Sequence, residues 1–122
     1  MKTKEVTLCD QKVTIAYCFA TEIIYKELAK EEIHEYIQEL STAIKENKNI
    51  EIRKAIYFIY AAMQAYYDSV DKKCPFSAKY LISNMSPSEL MKTVGEILVL
   101  FTSFYRISED KEEKKEETEK NV

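Results

Sequence analysis

Between Ile50 and Val70 the chain carries apolar residues on two stripes of one helix. At 3.6 residues per turn, Ile52, Ile56, Ile59, Met63, Tyr66 and Val70 fall on one line. Tyr57, Tyr60, Gln64 and Tyr67 fall on a second, about a quarter turn away. One stripe suffices to dock a helix on a small core. Two require either that the helix runs through the middle of a bundle or that one face is kept for a partner. Both readings stay open at this level, with Tyr57, Tyr60, Gln64 and Tyr67 as the candidate protein-binding residues.

The flanking sequence supplies the elements that such a helix needs around it. Residues 5–17 alternate, with Val6 and Leu8 on one arm and Val13, Ile15 and Tyr17 on the other, and this predicts a β-hairpin turning at Asp10-Gln11. Helical spacing follows over about 20–46, first through Ile24 and Leu28, then through Ile33, Tyr36, Ile37, Leu40 and Ile44. Propensity does not decide whether a bend at Lys30-Glu31-Glu32 divides this stretch. Asn47-Lys48-Asn49 breaks the pattern, and Asn49 is placed to cap the next helix, about 50–69. Cys74-Pro75 keeps the backbone out of the helical region, and a short helix is expected at about 77–83.

Ser86-Pro87-Ser88-Glu89 is the strongest local signal. It offers a capping serine, proline at the first helical position and glutamate at the third, opening a helix over about 87–106 with Leu90, Val94, Ile97, Phe101 and Phe104 as its stripe. The expected fold is therefore α+β and mainly α: a short N-terminal hairpin followed by a bundle of four to five helices. A single domain over 1–107 accommodates it. Residues 108–122 carry seven acids, four lysines and one apolar residue, and are expected to form a disordered acidic tail.

Charge and composition narrow the function classes. The net charge is −3, all of it in that tail, so the body holds equal numbers of acids and bases. A neutral body without a basic run argues against nucleic acid, where phosphate contacts dominate affinity. No apolar run reaches the ~20 residues of a membrane span, and Glu5, Asp10 and Lys12 interrupt anything like a secretory signal. A cytoplasmic protein is expected, in keeping with three cysteines, an odd number that cannot all pair internally.

Catalytic equipment is hard to find. The single glycine, Gly95, excludes the phosphate-binding loops that need several, and is expected instead to mark a close helix–helix approach. His34 is the sole histidine and is read as a surface residue beside Glu31 and Glu35. Cys9, Cys18 and Cys74 lack C-x-x-C spacing, so neither a metal nor a cofactor is expected. Carboxylates cluster at Glu31-Glu32-Glu35 and in the tail, with no opposed pair of the kind that hydrolyses glycosides. A non-enzymatic protein is the expectation.

The order of elements carries a resemblance. Val6-Thr7-Leu8 and Val13-Thr14-Ile15 around a polar turn, Tyr17-Cys18-Phe19-Ala20-Thr21-Glu22 leading into a helix, then two long apolar helices flanking a short one and an acidic tail, resemble the small tail-assembly chaperones of long-tailed bacteriophages and prophages. The likeness spans roughly residues 5–106. It departs at Asp10-Gln11-Lys12, where that family often has Gly-Lys, and at Ala29-Lys30, where it often has Thr-Gly. The resemblance implies a non-catalytic chaperone that binds the tape-measure protein and helps recruit tail-tube subunits. A small helical adaptor or regulatory subunit, homodimeric through the tyrosine face, is the alternative.

Overall fold

A computed structural model describes residues 1–106 with their side chains and, beyond them, only the backbone of the last helix. The elements run β1 (Lys2–Leu8), β2 (Gln11–Tyr17), α1 (Phe19–Ala29), α2 (Ile33–Glu46), α3 (Ile52–Ser69), α4 (Ala78–Asn84) and α5 (Pro87–Asn121). This is the expected hairpin followed by five helices. The expected disordered tail, 108–122, lies outside the residues described in full.

The hairpin is antiparallel, pairing Val6 with Val13 and Leu8 with Gln11. Its loop is Cys9-Asp10, one residue earlier than the expected Asp10-Gln11. Both loop residues have positive φ (50° and 63°), the signature of a type I′ turn, whose twist matches the flanking strands. Aspartate tolerates the left-handed conformation better than glutamine does. The Cys9 amide is also held, donating to Glu89 Oε2 at 2.8 Å.

Glu89 therefore does more than the capping motif foretells. Its Oε1 accepts the Ser86 amide at 3.2 Å, and the Ser86 hydroxyl accepts the Glu89 amide at 3.2 Å, which is the expected reciprocal box. The second carboxylate oxygen, reaching Cys9, ties the tip of the hairpin to the start of α5.

Residues 20–46 form two helices. Lys30 adopts a left-handed conformation (φ 61°) and its amide closes on the Lys26 carbonyl, ending α1. At the start of α1, Thr21 is buried; its hydroxyl donates to the Ala16 carbonyl at 2.9 Å and accepts the Cys18 amide. Asn47, also left-handed, ends α2 where the break was expected. Asn49 does not cap α3. The capping position belongs to Glu51, whose side chain makes no cap bond, while its carbonyl accepts the Tyr36 hydroxyl at 3.1 Å.

The core centres on α3, which packs against α1, β2, α4 and α5. Its buried residues are Ala55, Ile56, Phe58, Ile59, Ala61, Ala62, Met63 and Ala65. Ile56, Ile59 and Met63 come from the predicted stripe, but its ends, Ile52 and Val70, are exposed. Alanines cover much of the remaining buried surface and let neighbouring elements approach the α3 backbone. Phe58 meets Tyr25 of α1 and Tyr36 of α2 edge-on, and those two rings stack on each other at 5.7 Å. Gly95 departs from expectation. It is exposed, and a Cβ there would meet nothing within 4 Å, so among the described residues no other helix uses the space.

Two stability outcomes follow from these contacts. Ser86→Ala removes one cap bond and should cost about 1 kcal/mol, whereas Glu89→Ala also frees the hairpin turn and should cost about 2 kcal/mol or more, read by denaturant unfolding. The Tyr25 hydroxyl is buried with no hydrogen-bond partner. Tyr25→Phe should thus leave stability unchanged or raise it by up to about 1 kcal/mol.

Candidate functional site

The tyrosine face of α3 is neither core nor free surface. Tyr57, Tyr60, Gln64 and Tyr67 are all half-buried, and the three tyrosine rings lie against the core cluster. A side chain one quarter turn from the buried Ile56, Ile59 and Met63 lands at the edge of the packed elements, which is where these four stand. The Tyr67 hydroxyl accepts the Thr14 amide of β2 at 3.2 Å, and its ring meets Tyr66 edge-on at 5.1 Å. Tyr60 donates to Gln64 Oε1 at 2.8 Å, and Gln64 donates onward to Asp68, forming a polar string along one face.

Tyr60 and Gln64 border an open groove of about 450 Å³, whose far wall is the α3–α4 connection with Lys72, Lys73, Cys74 and Phe76. Phe76 stacks on Tyr80 at 4.9 Å with rings almost parallel. Burial raises the Tyr60 phenol above its ordinary range. The four predicted residues thus share a face, and Tyr60 and Gln64 line a common groove.

A second constellation joins residues far apart in the chain. Glu22 Oε2, on the first turns of α1, accepts the hydroxyls of Tyr17 (2.7 Å) and Tyr105, and lies 3.2 Å from His34 Nε2. Around this carboxylate the rings of Tyr17, His34, Phe101, Phe104 and Tyr105 interlock at centroid distances of 5.1–6.3 Å. His34 was expected beside Glu31 and Glu35; instead it faces Glu22 and packs on α5. Glu31 turns away to Lys54 at 2.6 Å.

Chemically, Glu22 is a hub: one mostly buried carboxylate draws strand β2, α2 and α5 onto α1. Burial, then the hydrogen bond to Glu22, pushes the Tyr105 phenol up to about 12 and the Tyr17 phenol higher still. The helical spacing of Phe101 and Phe104 was visible in the sequence. Their meeting with Glu22 and His34 was not, because Tyr105 and Glu22 are 83 residues apart.

The cluster has an exposed edge. Phe19 is 64% exposed and Ile23, one turn later on the same helix, is 59% exposed. Phe104 meets Phe19 edge-on at 5.3 Å, so an apolar ridge sits on top of the hub. Among the described residues, no group of three or more His, Cys, Asp or Glu is placed to hold a metal ion. No helix there is long and apolar enough to cross a membrane. Compared with known proteins, the chain matches no family model, no curated protein and no solved structure.

The buried phenols of the hub and of the core give the fold a pH signature. Tyr17, Tyr25, Tyr36 and Tyr105 all have pKa values raised in the fold, so they keep their protons where the unfolded chain, at about 10, loses them. Their contribution to stability is complete below about pH 10; the share of Tyr105 is lost as pH rises through about 12, and those of the other three at still higher pH. A near-ultraviolet absorbance titration should show these tyrosines ionising late and together with unfolding. Glu22→Gln should move Tyr105 back toward its ordinary range; an unchanged midpoint would show that Glu22 is not what holds it.

Proposed function

We propose that this protein is a non-catalytic, protein-binding component and, following its sequence resemblance, a phage tail-assembly chaperone acting in the bacterial cytoplasm. It would engage the tape-measure protein and help recruit tail-tube subunits. The observation that carries the reading is the ridge of Phe19, Ile23 and Phe104. Two large apolar side chains stand mostly in solvent, one turn apart, on a base locked by the Glu22 hub.

A rigid apolar ridge suits a client presented as an extended or helical apolar segment. Burying the exposed parts of Phe19 and Ile23, roughly 200 Å² together, would contribute on the order of 5 kcal/mol gross at ~25 cal/mol/Å². Association entropy offsets most of that. What remains suits a reversible hold, as a chaperone that must release its client requires. The groove beside Tyr60 and Gln64 offers a second contact with polar character, where Lys72 and Lys73 can meet acidic residues of a client.

Co-expression with the tape-measure protein of the same genome tests the reading. Wild-type protein should co-purify with it. The double variant Phe19→Ser/Ile23→Ser should keep its thermal midpoint, because both side chains are exposed, yet lose binding by about tenfold or more, as expected of a small set of dominant contacts. Tyr60→Ala should weaken binding less. Undiminished capture by the ridge variant, or no capture by wild type, would overturn the proposal.

A further inference from the structure

Gly95 lies on the outer face of α5, two turns into the helix, where glycine is the least favourable ordinary residue after proline and costs about 1 kcal/mol relative to alanine. Among the described residues nothing demands it, since a Cβ would meet open space. The residues around it are not those of a solvated face. Met91, four residues before, is 46% exposed, and Val99, four residues after, is 61% exposed. Ser88 and Thr102, seven residues before and after, are exposed and polar. These five positions lie on one side of the helix at successive turns.

The stripe is symmetric about its centre. Read in either direction it is polar, apolar, glycine, apolar, polar. We infer that this face pairs with the same face of a second copy, the two α5 helices running antiparallel with Gly95 on the two-fold axis. Such an isologous contact sets Met91 of one copy on Val99 of the other, twice, and Ser88 near Thr102, twice. The missing Cβ lets the backbones approach where they cross. Charge does not oppose the pairing. Glu96 is turned aside to Lys4 at 2.6 Å, and Lys92 is the one exposed charge between Ser88 and Thr102 beside the stripe.

A second observation extends the face. At Met91 it continues into a groove of about 490 Å³ lined by Ile50, Ile52, Pro87 and Leu90, with Lys48 and Asn49 at its polar end and Ile52 more than half exposed. In the antiparallel arrangement residues 99–103 of the other copy lie opposite 87–91, alongside this groove, and symmetry provides two such contacts. The buried surface would reach about 1,000 Å² in total, the lower end for a specific interface, which implies a concentration-dependent dimer. This face is distinct from the tyrosine face and from the Phe19 ridge, and the inference does not depend on any client.

Sedimentation equilibrium of the full chain from about 1 μM to about 1 mM, spanning the affinities of an interface of this size, should show the mass rising toward that of two chains. Gly95→Glu should stay monomeric throughout with a thermal midpoint no lower than wild type, since the position is open in the monomer and the two carboxylates would meet at the axis. A photo-crosslinking side chain at position 91 should couple to residues around Val99 of the other copy. A monomer across the whole range, a dimer undisturbed by Gly95→Glu, or coupling to a different surface would overturn the inference.

Discussion

Burial of α3 on most of its circumference is the constraint from which the rest of the fold follows. A helix contacted by α1, β2, α4 and α5 at once cannot be large on every side. Ala55, Ala61, Ala62 and Ala65 supply the thin sides, while Ile56, Phe58, Ile59 and Met63 fill the space toward the larger neighbours. Close packing of this kind leaves little room to relax, so changes in volume at these positions are felt directly. The hairpin and α1 can sit on α3 because its alanines admit them, and their outer surfaces are what remains for other molecules.

Two carboxylates complete what apolar packing begins. Glu89 joins the hairpin turn to the start of α5, and Glu22 joins the end of β2, α2 and the later part of α5 to α1. Each is a local motif residue, one in a capping box and one in the first turn of a helix. Glu89 reaches its distant partner with its second oxygen, whereas Glu22 gathers Tyr17, His34 and Tyr105 on Oε2 alone. Charge-assisted bonds of this type are stronger than neutral ones, and they restrict how α5 lies on the body. The exposed ridge at Phe19 and the symmetric stripe at Gly95 are both mounted on elements fixed in this way.

Much of the fold was legible because its signals are local. The change from alternation to helical spacing after Tyr17, the break at Asn47 and the box at Ser86–Glu89 all express preferences of a few adjacent residues, and each stands where it was expected. The turn at Cys9-Asp10 and the cap at Glu51 did not, because a tertiary bond from Glu89 and the Tyr36 hydroxyl act at those points. The tyrosine stripe was visible as a pattern, yet its half-burial depends on how far α4 and β2 overlap the edge of α3.

The sequence by itself determined the order of elements, the helical ends marked by capping residues and the presence of an apolar surplus on the helix after Asn49. Backbone preference and side-chain period suffice for these, since both act over one or two turns. Only the tertiary structure decided which apolar residues the surplus leaves outside: Phe19, Ile23, Met91 and Val99 rather than the tyrosines alone. It also decided that Glu22 and His34 meet Tyr105 and that Gly95 faces outward. Burial is a property of what lies opposite a side chain, and for this chain the opposite partner is often more than fifty residues away.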